Sequence, residues 1–226
     1  MKKKIINTYD KVSIDYGYNS NSLHKLGLDS RKLEEAATNQ ILNVLELDNY
    51  DVIYTSGNAE SYTMIANNIK ESIYTDNKEM LEICKEKNIL IKSKDSIDKN
   101  TFISIKNEDF YNGKVNHIDL DLNKKYNNLN KYDFITIEDE IPFFGVLIKK
   151  KNIDIKNLIH GGKSTTKYRS GTSATPLIAS FSKLVKLKYK KWGQICKYCL
   201  LFIANKCLYD IITIGVIICM HIWKEQ

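Results

Sequence analysis

Residues 160–177, HGGKSTTKYRSGTSATPL, set one arginine among glycines and hydroxyl side chains, and their core is the turn Arg169-Ser170-Gly171-Thr172. A turn of this make-up suits a bound phosphate, because a guanidinium offers paired donors to an oxyanion while hydroxyls and backbone N–H groups add further donors. A second anion-type turn lies upstream, where a strand-like run at residues 50–55 leads into Ser56-Gly57-Asn58-Ala59-Glu60-Ser61 and then a helix-compatible run at residues 62–73. The start of a helix after such a turn leaves N–H groups unpaired at the positive end of the helix dipole. Gly57 permits the turn, and Ser56 or Ser61 is expected to cap the helix. Ser56, Gly57, Asn58 and Ala59 in the one turn, and Arg169 and Thr172 in the other, are therefore candidate phosphate-cradle residues.

The elements that must carry these turns alternate. A helical run at residues 30–47 opens on a capping serine, Ser30, and spaces Leu33, Ala37, Ile41 and Leu45 four apart, giving one apolar stripe. Helices are expected at residues 62–73 and 78–87, and strands near Val52 and at residues 88–91, 102–105, 134–137 and 144–148. Helices alternating with apolar strands predict an α/β fold with a largely parallel sheet covered on both faces. Residues 122–131, rich in Asn and Lys, read as a loop or surface helix.

With 226 residues, 34 basic and 27 acidic side chains, the chain carries a net charge of +7. The basic residues are dispersed and no aromatic-interleaved basic motif occurs, so a nucleic-acid partner is not expected. Five cysteines, four of them near the C-terminus, lack the spacing of a disulfide framework; a reducing, cytoplasmic location is expected. The first ten residues, MKKKIINTYD, hold no apolar run suited to a signal peptide. After Ser182 the character changes to a lysine cluster and then an apolar tract at residues 198–223, interrupted by Lys206 and Asp210. Its unbroken part, residues 211–223, is shorter than the roughly 20 residues a bilayer needs, so a membrane anchor is not expected. The expected division is residues 1–182 and a basic, then apolar tail, residues 183–226.

Three blocks, NSLHKLGLDSRKLEEA at residues 21–36, VIYTSGNAES at 52–61 and LIHGGKSTTKYRSGT at 158–172, follow the order and rough spacing of one family. The chain resembles the NifS-like cysteine desulfurases of the class V aminotransferase group of pyridoxal phosphate enzymes. SLHKLG continues what is Gly-Asn-Pro-Ser-Ser in the family, here Tyr18-Asn19-Ser20-Asn21-Ser22. TSGNAES resembles the phosphate-binding loop Thr-Ser-Gly-Ala-Thr-Glu-Ser, whose two cofactor contacts fall on Asn58 and Ala59. The third block resembles the loop whose final threonine, here Thr172, reaches the cofactor phosphate of the partner subunit in the family dimer. The resemblance implies an incomplete large domain of the fold-type I pyridoxal phosphate transferases, pyridoxal phosphate as cofactor, and a homodimer or a complete desulfurase as partner.

The reaction itself needs a lysine to form an imine with the cofactor and an acidic group at the ring nitrogen. The family's Ser-x-His-Lys follows a strand matched here by residues 133–137, but Glu138-Asp139-Glu140-Ile141-Pro142 come next, and no lysine lies between Lys131 and Lys149. Lys149 falls in the following strand and is a poor substitute. The ring-stacking histidine is matched by Asn77. The family's His-x-Asp-Ala-x-Gln-Ser-x-Gly-Lys is placed on residues 105–114, anchored at Gly113-Lys114, with Asn107 at the aspartate, Phe110 at the glutamine and Asp109 two residues off. The segment Asn-Asn-Glu-Ile-Gly that precedes it in the family has no match, and no cysteine stands in a Ser/Gly-rich loop like that of the family's nucleophile. The expectation is a truncated, catalytically inactive relative with no catalytic residues, the alternatives being a scaffold or dimerisation partner of a complete desulfurase, or a frameshifted gene product.

Other patterns carry less. GGKST at residues 161–165 lacks the upstream glycine of a P-loop, Asn157 standing there. Cys196-x-x-Cys199 with Cys207 and His221 does not complete a metal spacing, so no metal is expected. Glu138, Asp139 and Glu140 point in different directions on a strand or turn and read as a solvated loop. His24 and His160 are expected to make structural hydrogen bonds, while His117 has no assigned role.

Overall fold

The computed structural model describes residues 2–106, 113–137, 140–161 and 168–204, the last fifteen of these as backbone only. Residues Met1–Lys190 form one compact unit and Lys191–Gln226 a second. In chain order the described elements are α1 (Lys2–Tyr16), α2 (Lys25–Leu45), β1 (Tyr50–Thr55), α3 (Asn58–Ala66), β2 (Ser72–Thr75), α4 (Lys78–Glu86), β3 (Leu90–Ile91), β4 (Thr101–Ile105), β5 (His117–Leu120), β6 (Phe134–Ile137), β7 (Gly145–Lys150) and α5 (Thr175–Ala204).

The strands make one sheet in the order β1-β7-β6-β5-β4-β2-β3. All neighbours are parallel except β7, which runs antiparallel to both β1 and β6. Alternating side chains divide between two cores. On one face Val52, Ile103, Ile118, Leu120, Ile135, Val146 and Ile148 pack with Ala37, Ile41 and Leu45 of α2 and Ile178, Phe181 and Leu184 of α5. On the other, Ile53, Ile73, Phe134 and Leu147 pack with Tyr62, Met64 and Ile65 of α3 and Met80 and Cys84 of α4. Helices thus cover both faces of a mostly parallel sheet, as the alternation of segments predicts.

Several boundaries differ from the sequence reading, each for a local reason. α2 begins at Lys25, not at Ser30, because His24 caps it: Nδ1 accepts from the Gly27 N–H at 3.2 Å. Ser30 is buried inside the helix and its hydroxyl donates to the Tyr16 carbonyl at 2.9 Å, tying α2 to the end of α1. The helix expected at 62–73 is α3, which starts four residues earlier and stops at Ala66; Ile73 belongs to β2. Asn77 is the N-cap of α4, its Oδ1 accepting from the N–H groups of Glu79 and Met80. α1, β2, β5 and α5 have no counterpart among the expected elements: α1 buries one residue, Val12, β2 and β5 are only four residues long, and α5 joins a hydroxyl-rich start to a lysine cluster. α5 runs through Ser182 without a break. Glu140, expected to be solvated, is half-buried and pairs with Lys188 of α5 at 2.6 Å; Glu138 and Asp139 lie outside the described residues.

Among the described residues no helix is long and apolar enough to cross a membrane, and no three His, Cys, Asp or Glu side chains gather as a metal site. The apolar tract at residues 211–223, with Cys207, Cys219 and His221, lies outside the described residues.

Candidate functional site

Three of the six cradle residues line one pocket of about 200 Å³ at the end of β1: Ser56, Arg169 and Thr172, with Tyr54, Phe143 and Phe144 as an aromatic wall. The turn after β1 is held from within. The Ser56 N–H and hydroxyl both donate to Glu60 Oε2 at 2.7 and 2.8 Å, and Arg169 Nε donates to Glu60 Oε1 at 2.9 Å. Burial pushes the Glu60 carboxyl up, but the bonds from Ser56 and Arg169 outweigh it and hold the group below its ordinary range. Neither expected serine caps α3: Gly57 is the N-cap with no side-chain bond, Ser56 serves Glu60, and the Ser61 hydroxyl meets Thr55 at 2.8 Å. The first N–H groups of α3, on Asn58 and Ala59, therefore have no side-chain cap, and the Asn58 Oδ1 is buried without a hydrogen-bond partner.

Two glycines shape this corner. Gly171 adopts φ +119, a conformation that L side chains rarely hold, and a Cβ there would meet Arg169 Nη1 at 3.2 Å. Gly145 opens β7 directly against the turn, where a Cβ would stand 2.6 Å from the Gly57 carbonyl carbon. The close approach of two backbones excludes any side chain.

A second cluster lies on the sheet face covered by α3, and its residues share strand parity. Ser104 of β4, His117 and Asp119 of β5 and Thr136 of β6 are all fully buried. The Thr136 hydroxyl donates to Asp119 Oδ1 at 3.0 Å, so it can only accept from His117 Nε2, 2.9 Å away. That fixes the proton on Nε2 and makes Nδ1 the acceptor of the Ser104 hydroxyl at 2.8 Å. Burial drives the imidazole pKa down to about 3, in keeping with this neutral tautomer. Tyr62 of α3 donates its hydroxyl to Asp119 Oδ2 at 2.6 Å and lays its ring edge-on to His117, with centroids 5.8 Å apart. Burial, and then the Asp119 charge, push the Tyr62 phenol far up. Lys106, just past β4, brings its Nζ to 3.6 Å from the same Asp119 oxygen. The sequence reading gave His117 no role and did not single out Asp119; the available signal was the triple His117-Ile118-Asp119, which matches the start of His-x-Asp-Ala-x-Gln. Asn107 and Phe110, where that motif was placed, lie outside the described residues.

Lys149 is fully buried but fixed elsewhere. Its Nζ donates to Asp51 Oδ2 at 3.1 Å and to the Lys150 carbonyl at 3.1 Å, and stands 4.4 Å from the centre of the Tyr168 ring. The register pairs Lys149 with Asp51 and Gly145 with Thr55, so the ammonium is four residues, about 13 Å of strand, from the turn.

Residues 1–89 match the sequence model of the class-V aminotransferases. No curated protein matches the chain. Among solved structures, a NifS-like protein is 20% identical at a TM-score of 0.73, over 86% of this chain and 68% of that one. A NifS-like protein from Rickettsia africae is 20% identical at 0.68, over 83% and 65%. Pyridoxal phosphate-bound phosphoserine aminotransferase from Trichomonas vaginalis is 13% identical at 0.61, over 83% and 72%. The chain thus has the sheet and helix arrangement of the fold-type I pyridoxal phosphate enzymes and spans about two thirds of the length of these structures.

The residues that the resemblance matches to pyridoxal phosphate contacts fit that group unequally. At the phosphate end the residues are compatible: uncapped N–H groups at the start of α3, and Thr172 and Arg169 beside Ser56. At the positions matched to the ring they are not: residues 132–148 hold no lysine, and Asn77 offers an amide already committed through its oxygen to capping. The carboxylate of the second cluster, Asp119, is engaged by Tyr62, Thr136 and Lys106.

Proposed function

We propose that this chain is a cysteine desulfurase relative that does not carry out sulfur transfer from L-cysteine, and that keeps an anion-binding turn built from Asn58, Ala59 and Thr172. The observation that carries the reading is the lysine position. The stretch between β6 and β7, where the family's Ser-x-His-Lys belongs, has none, and the buried Lys149 is held by Asp51 and Tyr168 at the far end of β7. A lysine so paired would have to leave a buried ion pair to react, which costs several kcal/mol. Asp119 is taken as the counterpart of the family's ring-nitrogen aspartate, because His117-x-Asp119 fits that motif on a buried parallel strand.

The test is titration of the purified, folded chain with pyridoxal phosphate, followed by borohydride reduction and mass analysis. No visible imine band and no reduced adduct are expected. A single stoichiometric lysine adduct, with sulfide release from cysteine, would overturn the reading.

A second reading, that the chain pairs with itself or with a complete desulfurase, draws on Phe143. This side chain is 91% exposed and lines the same pocket as Thr172, the residue that in the family serves the partner subunit. Sedimentation of the chain alone and with a NifS-like desulfurase tests it: Phe143→Ser is expected to weaken any pairing, and a monomer in both mixtures refutes it.

A further inference from the structure

The chain is not merely short of a lysine; the carboxylate read above as the partner of the ring nitrogen is already answered from within the chain. Asp119 sits on β5 with its side chain fully buried, and a carboxylate in that position needs donors and a countercharge. Thr136 supplies a hydroxyl to Oδ1 from the neighbouring strand. Oδ2 receives the Tyr62 phenol at 2.6 Å from above the sheet and faces the Lys106 ammonium at 3.6 Å. We propose that Tyr62 and Lys106 together occupy the place of a cofactor ring nitrogen, so that the chain neutralises Asp119 itself and excludes a pyridinium from it. The proposal rests on the reading of Asp119 as the ring-nitrogen aspartate.

The geometry follows from strand parity and helix placement. Lys106 comes two residues after Ser104, on the side of the sheet that carries Asp119, and its own N–H is pinned by Asp76 Oδ1 at 2.8 Å. Its side chain is 47% exposed, so the ammonium approaches the buried Asp119 from the solvent side. Tyr62 lies one turn into α3, and its ring, packed against His117, fills the space over β5. A pyridinium N–H would have to reach Oδ2 at hydrogen-bond distance, where the phenol oxygen already stands. It would also bring a second cation beside the ammonium, and like charges at such range oppose each other.

Lys106 is therefore at the wrong pole to replace the missing lysine. A lysine that forms an imine works at the carbon opposite the ring nitrogen, whereas Lys106 is held at the nitrogen's own partner.

The test uses pyridoxamine phosphate, which has no aldehyde and binds without any lysine adduct, with inorganic phosphate as the reference ligand. Binding to the full chain is read by calorimetry. The wild type is expected to bind pyridoxamine phosphate no more tightly than phosphate. Lys106→Met, which keeps the bulk and removes the charge from a half-exposed side chain, is expected to bind pyridoxamine phosphate at least about tenfold more tightly than the wild type, with phosphate affinity unchanged. Adding Tyr62→Phe is expected to extend the gain, and Lys106→Gln provides a second route if either substitution impairs folding. Folded variants that bind pyridoxamine phosphate no better than the wild type, including the case where nothing binds, refute the proposal, as does a wild type that already prefers pyridoxamine phosphate to phosphate. The borohydride experiment reports separately on the missing lysine, so either idea can fail alone.

Discussion

The buried, neutral His117 should make this protein measurably less stable as the pH falls below 7. The ring is fully buried, it gives its one N–H to Thr136 and takes the Ser104 hydroxyl on the other nitrogen, so a second proton would have to reverse the Ser104 bond and would place a positive charge away from solvent. Burial lowers the pKa from 6.5 to about 3. Because the folded value lies below the unfolded one, the unfolded chain binds more protons between those limits, and stability is full at higher pH and falls as pH drops through the window. One proton gives a slope of at most about 1.4 kcal/mol per pH unit, and integration from pH 7 to pH 5 gives a loss of about 2 kcal/mol. Urea unfolding at pH 7 and pH 5 measures this directly. The control is His117→Gln, which retains a donor and an acceptor without a titratable ring and should flatten the difference between the two pH values. A wild type equally stable at both, or a dependence that persists undiminished in His117→Gln, would falsify the assignment of this network.

Three further outcomes are expected. Gly145→Ala should cost about 1–3 kcal/mol by forcing β7 away from the turn, since its Cβ would lie 2.6 Å from the Gly57 carbonyl carbon; thermal unfolding and phosphate affinity should fall together. Thr175→Val removes a hydroxyl that donates to buried Glu34 at 2.6 Å, and should lower stability by about 1–3 kcal/mol in urea at pH 7, with Thr175→Ser recovering most of it. Lys149→Ala should destabilise by about 3 kcal/mol, the low end for breaking a buried pair because Asp51 is 34% exposed, and should leave any pyridoxal phosphate binding unchanged; loss of binding in a folded variant would mean that this lysine reaches the cleft after all.

Much of the frame was legible because it is written locally. β1 and β6 fall on the strand-like runs at residues 50–55 and 134–137, and the Gly57 turn before α3 stands where strand, turn and helix composition put it. The apolar stripe of α2 is buried at Ala37, Ile41 and Leu45. The block TSGNAES lies inside the residues that match the class-V aminotransferases. His24 is a cap, so its structural hydrogen bond was also readable, although the cap moved the helix start back from Ser30.

What escaped the sequence depends on contacts across the sheet. β5 is four residues long and half polar, so its pattern is weak, and the Gly113-Lys114 anchor drew attention to the preceding segment. The Tyr62 bond to Asp119 joins residues 57 apart, and the pair of Asp51 and Lys149 joins residues 98 apart.

The sequence alone determined the α/β alternation, the phosphate-type turns and the lack of a lysine between Lys131 and Lys149, because propensity, turn chemistry and residue identity are properties of short stretches. Only the tertiary structure decided that Ser104, His117, Asp119 and Thr136 share one face beneath Tyr62, with Lys106 at its edge. Strand order and parity make that choice, since each strand's side chains alternate between two faces, and which face is buried beneath which helix follows from the packing of the whole sheet.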